Sequence, residues 1–321
     1  MEEIKCILCN KESDDIVIEE NNVSGRKCQN CKLIYISPRP SLSELIDLYS
    51  HDGAHISAHS HISVELEKIL RARHHLEIIR KYKKSGDLLE VGAGAGFFLR
   101  EARKAGFSVF GIELNNELCN YIDKKLGIAC ESDILNENSY GTNCFDVIYH
   151  CDVISHIHDP VDHLRKINKK LNPNGILVLE TGNIGNVEKK YFKYFSNFQY
   201  PDHLFFFGEE SLTSLLEKAG FTILKIYKYS ILTQLRLIKI FNLFYNFIKS
   251  GKKRSKEREE IRFEAVSSDA APELKKGASR LKTQLRNLYH YSQYVARYKI
   301  GFIAPKKGRP QTLIVIAQKR N

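Results

Sequence analysis

Between residues 85 and 230, short apolar runs alternate with segments whose apolar positions recur every three or four residues. The runs at 88–91, 108–112, 128–130, 145–150, 175–180 and 221–227 predict strands. Segments 97–105, 117–126, 161–171 and 210–219 carry the helical period. Strands that are apolar on both faces need helices on both faces. The alternation therefore predicts an α/β fold around a largely parallel sheet. A seventh apolar run, Thr312-Leu313-Ile314-Val315-Ile316-Ala317, lies near the end.

The flanking segments follow other patterns. Ile16-Val17-Ile18 and the turn-forming pair Asn21-Asn22 predict a short hairpin. Ser37-Pro38-Arg39-Pro40-Ser41 reads as a linker, 42–49 as a short helix and 65–84 as a charged amphipathic helix. The stretch between the sixth and seventh runs is long. Within it, 231–249 is amphipathic with Arg236, Lys239, Asn246 and Lys249 on the polar side, 252–264 is a charge run, and 266–272 reads as a loop. Leu274, Leu281, Leu285, Leu288 and Val295 then recur at helical spacing, with Tyr289, Tyr291, Tyr294 and Tyr298 interleaved. The expected organisation is an N-terminal module at 1–40, a helical segment at 41–84, a core at 85–230 plus 310–321, and a helical insertion at 231–309.

With 321 residues, 43% hydrophobic and 27% charged, the chain is long enough for a sizeable core. This composition excludes wholesale disorder, a collagen-like rod and a polytopic membrane protein. Charge adds more. From Ser230 to Asn321 there are 21 basic and 6 acidic residues, whereas the rest of the chain is mildly acidic. A basic C-terminal third suits an anionic partner (phosphate, nucleic acid or lipid) or forms a solvated basic face. The N-terminus lacks a basic, apolar leader, and Arg236 and Lys239 interrupt the greasiest stretch. A cytoplasmic location with reduced cysteines is expected.

Cys6, Cys9, Cys28 and Cys31 form two C-x2-C pairs separated by 18 residues. In a reducing compartment this spacing predicts a zinc ribbon. Four protein thiolates fill the coordination sphere, so the zinc is structural. Cys119, Cys130, Cys144 and Cys151 read as packing residues. His51, His55, His59 and His61 have a spacing of about four, but Gly53 and several serines weaken a helix there. Metal binding, substrate contact and a solvated loop all stay open for that cluster.

The sharpest motif is Leu88-Leu89-Glu90-Val91-Gly92-Ala93-Gly94-Ala95-Gly96, a strand running into a glycine-rich turn that opens a helix. A dinucleotide fingerprint wants Gly or Ala three residues after its second glycine; Phe97 stands there. With Glu90 before the turn and Glu113 ending the next strand, the segment from about 85 to 318, minus the insertion, resembles the class I S-adenosylmethionine-dependent methyltransferases. The resemblance implies a seven-stranded Rossmann-like sheet whose last strand is antiparallel. It also implies S-adenosylmethionine contacts at Glu90, Gly92, Ala93, Gly94, Gly96, Glu113, Leu114, Asp133, Ile134 and Cys151. Glu113 would accept from the ribose hydroxyls, and Ser132-Asp133-Ile134 would meet the adenine.

Ligands of an open α/β sheet bind beyond the carboxyl ends of its strands. After the fourth strand, Asp152 to Pro160 is similar to a Glu-His-x-x-Asp-Pro stretch of the branch that includes ubiquinone-pathway O-methyltransferases. Some members hold a divalent ion there. Here Asp152, Ser155 and His156 leave the set one carboxylate short, which counts against a catalytic metal. His156 is either a general base or a residue packed on the next helix. After the fifth strand, Tyr191, Phe192, Tyr194, Phe195, Phe198 and Tyr200 wall a pocket or pack the core. His203, in Pro201-Asp202-His203-Leu204, is the second candidate base. The expected activity is methyl transfer, with O-methylation favoured, to a small-molecule, sugar- or lipid-linked acceptor. Methyltransferases of glycan and natural-product pathways carry a similar zinc-ribbon leader. The basic insertion would cap the site or rest on anionic lipid. The alternatives are a zinc-finger RNA methyltransferase and a non-catalytic cofactor-binding module.

Overall fold

A computed structural model describes residues 1–50, 65–195, 197–241, 276–303 and 306–320. The histidine cluster 51–61 and the charge run 252–264 lie outside the described residues. The central sheet contains β4 (Gly86–Val91), β5 (Phe107–Ile112), β6 (Cys130–Glu131), β7 (Phe145–Cys151), β8 (Leu171–Gly182), β10 (Phe221–Ser230) and β11 (Gln311–Lys319). Their spatial order is β10-β11-β8-β7-β4-β5-β6. Six strands run in one direction, and β11 alone of the seven runs against them, between β8 and β10. The seven strands and the antiparallel last strand match the expected sheet.

Helices α2 (Glu65–Ile79), α3 (Phe97–Lys104), α4 (Asn116–Tyr121), α5 (Pro160–Lys170) and α6 (Glu209–Lys218) connect or cover these strands. Local chemistry sets their starts. Asp159 caps α5 by accepting from the Val161 and Asp162 N–H groups, and Pro160 fills its first position. Ser41 and Glu44 form a reciprocal cap on α1 (Leu42–Ser50). Burial alternates along β11: Leu313, Val315 and Ala317 enter one core, Ile314 and Ile316 the other. Both sheet faces are thus covered, as a parallel sheet requires.

Some elements differ from the sequence pattern: the charged helix expected over 65–84 ends at Ile79. β8 starts at Leu171, not 175, because Leu171 already pairs with Phe145 before the Asn172–Gly175 segment bulges and shifts the register. The predicted helix 117–126 is α-helical only to Tyr121. It widens into a π-turn over Ile122–Leu126 and ends at Gly127 with positive φ.

The N-terminal residues form a second sheet. β1 (Ile16–Glu20), β2 (Val23–Lys27) and β3 (Ile34–Ile36) make a meander, and β9 (Phe205–Phe206), from the segment after β8, adds a fourth strand beside β3. Ile34, Tyr35 and Ile36 are buried in the same core as Phe205, Phe207 and Leu212. The insertion returns as α7 (Lys276–Tyr294), followed by a π-turn, Val295–Ile300, that buries Tyr298 in the opposite core. No helix among the described residues is long and apolar enough to cross a membrane.

Candidate functional site

A cavity of about 640 Å³ opens at the carboxyl ends of the parallel strands. Its floor is the glycine turn. Gly92 has φ 72°, and a Cβ there would lie 2.6 Å from Val153 Cγ2. Gly96 has φ 70° and precedes α3, and a Cβ there would press on Ile122 and Leu126. Both positions need glycine for conformation and for space. Glu113 fastens the turn from β5. Its Oε2 accepts from Gly94 N–H at 2.7 Å and its Oε1 from Asn115 N–H at 2.9 Å.

Glu90, Gly92, Ala93, Gly94, Glu113, Leu114, Asp133, Ile134 and Cys151 all line this cavity; Gly96 does not, and serves the turn from behind. Asp133 Oδ1 accepts from the Ile134 N–H at 2.7 Å. Glu90 is 5% exposed, and its Oε2 has no hydrogen-bond partner. Burial, reinforced by the nearby Glu113, pushes the Glu90 carboxyl well above the usual range. Burial also raises the Glu113 carboxyl, against the pull of its backbone N–H donors. An orphaned buried carboxylate oxygen is costly unless something completes it.

The sequence pattern did not single out the cations of the cavity. Lys68 and Arg71, from α2, and Arg297, from the turn after α7, line the same cavity. Arg71 Nη1 lies 2.8 Å from Asp152 Oδ2 and 3.8 Å from Glu180 Oε1. Glu180, fully buried on β8, also meets Arg297 at 3.1 Å, His75 at 2.6 Å and the Tyr298 hydroxyl at 2.8 Å. Burial raises its carboxyl, but Arg297, His75 and Arg71 outweigh that and hold it well below the usual range. His75, Cys151 and Glu180 are close enough to share an ion. With two guanidiniums already on Glu180, the trio is better read as an ion network than as a metal centre.

Both candidate bases reach the cavity, and they touch: their ring centroids are 4.4 Å apart. His203 Nδ1 lies 3.1 Å from the Phe198 carbonyl oxygen, which only accepts. The proton therefore sits on Nδ1, and Nε2 carries the lone pair. Burial lowers the His203 pKa, which keeps the ring neutral. His156 Nδ1 lies 2.8 Å from the Tyr49 hydroxyl and 3.2 Å from Asp202 Oδ1, and Tyr49 donates to that same carboxylate. Burial pushes Asp202 up to about 7. Tyr49 and Asp202 are further site residues that sequence reasoning missed. Of the aromatic loop, Tyr200 is buried in the core, whereas Phe206 beyond it reaches the cavity.

The four N-terminal cysteines converge, with all sulfurs within 4.8 Å of one another and Cys9 Sγ 3.6 Å from Cys28 Sγ. The two C-x2-C turns are alike. Asn10 and Lys32, each four residues after the first cysteine, have positive φ and donate to the carbonyls of Cys6 and Cys28 at 2.7 and 2.8 Å. Sulfurs bound to one tetrahedral zinc at roughly 2.3 Å would lie about 3.8 Å apart, so this donor set fits.

Known proteins resemble parts of this chain. A tRNA U34 carboxymethyltransferase of Cronobacter sakazakii is 29% identical over 154 residues, 46% of this chain and 48% of that protein. A ubiquinone biosynthesis O-methyltransferase of Actinobacillus pleuropneumoniae is 27% identical over 106 residues, 30% of this chain and 45% of that one. A phosphoethanolamine N-methyltransferase of Arabidopsis thaliana is 30% identical over 105 residues, 30% of this chain and 21% of that one. The chain thus spans about half, or less, of the length of these curated relatives. Among solved structures, the cyclopropane synthase MmaA2 of Mycobacterium tuberculosis aligns with a TM-score of 0.44 and 14% identity over 76% of this chain and 83% of that one. The sequence profile of the methyltransferase domain family matches residues 65–226, about half of the chain, and the chain belongs to that family.

Proposed function

We propose that the chain transfers the methyl group of S-adenosylmethionine to an oxygen of a small-molecule, sugar- or lipid-linked acceptor. The observation that carries this reading is a single cavity that joins the glycine turn to two histidines. Glu113 and the Asp133-Ile134 segment would hold the nucleoside. The unpartnered Glu90 oxygen suits an ammonium, and Lys68 and Arg71 suit a carboxylate, so together they match an amino-acid zwitterion. When bound, S-adenosylmethionine supplies a methyl carbon made electrophilic by its sulfonium. The chain's own work is to orient, exclude water and move one proton. His203 Nε2 takes the proton of the acceptor hydroxyl, while Asp202 and Tyr49 orient His156 beside it.

The four N-terminal cysteines hold a structural zinc ion as thiolates, and the other four, Cys119, Cys130, Cys144 and Cys151, are unbridged thiols that suit a reducing cytoplasm. Phe302 and Ile303 are 66% and 77% exposed and stand among Lys299, Lys306, Lys307 and Arg309. That pairing of apolar and basic residues suits the inner face of an anionic membrane. A second reading, an RNA acceptor, draws on the named tRNA-modifying relative and on the basic C-terminal third.

The test is methyl transfer from radiolabelled S-adenosylmethionine into host extract, split into lipid, soluble and RNA pools. Label in lipid or soluble material supports the first reading, and ribonuclease-sensitive label replaces it with the second. No label in any pool favours a binding module.

A further inference from the structure

We propose that the N-terminal sheet is the positioning device of the catalytic loop, and that Glu20 is the residue through which it acts. This rests on the reading of His203 as the base. The loop 198–204 is gripped on both sides of His203 by residues of that sheet. Upstream, the Glu20 carboxylate accepts from the Phe198 N–H at 2.9 Å and from the Tyr200 N–H at 2.9 Å. The Asn21 amide donates to the Tyr200 carbonyl at 2.6 Å. Downstream, the Ile36 N–H donates to the Leu204 carbonyl at 3.0 Å, and β9 continues the pairing as Tyr35↔Phe205 and Ile34↔Phe206.

The grip reaches the imidazole itself. The Phe198 carbonyl that fixes the His203 tautomer belongs to the residue whose N–H Glu20 holds. Asn21 and Asn22 both have positive φ and close the β1–β2 hairpin with Glu20 paired to Val23, which fixes where Glu20 stands. Gly25, on β2, leaves room for the Tyr200 ring; a Cβ there would overlap the Tyr200 hydroxyl. A carboxylate on β1 that bonds two N–H groups of the loop leading into β9 is well suited to set that loop's conformation.

The test uses the full chain with Glu20→Ala and Glu20→Gln. The His203 ring resonance is followed by proton–carbon correlation NMR, assigned with His203→Gln. Glu20→Ala is expected to shift or broaden that resonance and to lower kcat about tenfold or more. The KM for S-adenosylmethionine and the Kd for S-adenosylhomocysteine should stay within about twofold, because the glycine turn is untouched. Glu20→Gln should recover part of the loss, since its amide oxygen still accepts. If Glu20→Ala does not fold, Asn21→Gly keeps the positive φ and removes only the bond to Tyr200, and the same shift of smaller size is expected. A His203 resonance and kcat unchanged in whichever variant folds overturn the proposal. If the resonance moves but His203→Gln retains full turnover, the base assignment is wrong and the grip on the loop stands.

Discussion

Glu113 accepts the Gly94 N–H of the cofactor turn and the Asn115 N–H after β5, and it lines the cavity at the end of β5. Bonds of this charge-assisted kind contribute about 1.5–3 kcal/mol. Glu113→Ala should therefore weaken S-adenosylhomocysteine binding by about tenfold or more, measured by calorimetry; an affinity within twofold of the parent contradicts the assignment. His150 offers a different single-residue test. It is fully buried with neither ring nitrogen bonded, and burial, with His163 beside it, lowers its pKa to about 3. The unfolded chain takes up that proton near pH 6.5 and the folded chain does not, so His150 removes stability as pH falls below 6.5. The slope is about 1.4 kcal/mol per pH unit. His150→Phe lacks this loss, so its melting temperature should gain on the parent's between pH 7 and 5, and a constant difference excludes the effect. The glycine turn and Glu113 were legible in the sequence because each lies at a strand end, whereas His203, 21 residues past the end of β8, stood out only through the resemblance of the segment 201–204. Tyr49, Lys68 and Arg71 were not legible. On amphipathic helices such residues read as a solvent face, and only the packing of α1 and α2 over the strand ends turns them to the cavity.

At the scale of elements, the strands and helices of the central sheet were readable because periodicity is local. β9 was not, since two residues inside an aromatic run become a strand only by pairing with β3, which lies about 170 residues earlier in the chain. The early start of β8 was hidden for a similar reason, since Asn172-Pro173-Asn174-Gly175 is turn-like and Leu171 extends only against Phe145. The two cysteine turns were legible from spacing alone. Their geometry sets an expectation for the whole N-terminal sheet. Elemental analysis should find about one zinc per chain. A strong chelator should lower hydrogen-exchange protection most in the two cysteine turns and in β1 and β2, because β3 is also held by burial against Phe205 and Phe207. Protection that survives complete metal removal would rule out a structural role for zinc.

The arrangement of the whole molecule turns on Glu180. It was read as the last residue of a strand, and nothing near it in sequence announces its partners. Arg71 and His75 come from α2, and Arg297 and Tyr298 from the turn that ends the insertion. One buried carboxylate thus ties together β8, the helix preceding the cofactor turn and the distal end of the insertion. His74 adds to the seam by packing on Tyr294 and Tyr298. Two guanidiniums gathered on one carboxylate are tolerable only while it is charged. Glu180→Gln keeps the shape and removes the charge, leaving Arg71 and Arg297 to repel each other. Breaking a buried pair in this way costs about 3–5 kcal/mol. We expect a lower melting temperature and, more tellingly, faster amide exchange in the described part of the insertion from 284 to 303. Exchange in α6, on the opposite face of the sheet, should change only as far as global stability does. Equal acceleration in both regions would mean that Glu180 stabilises the fold generally. Acceleration confined to the insertion would show that the cap is held over the cavity by this one residue.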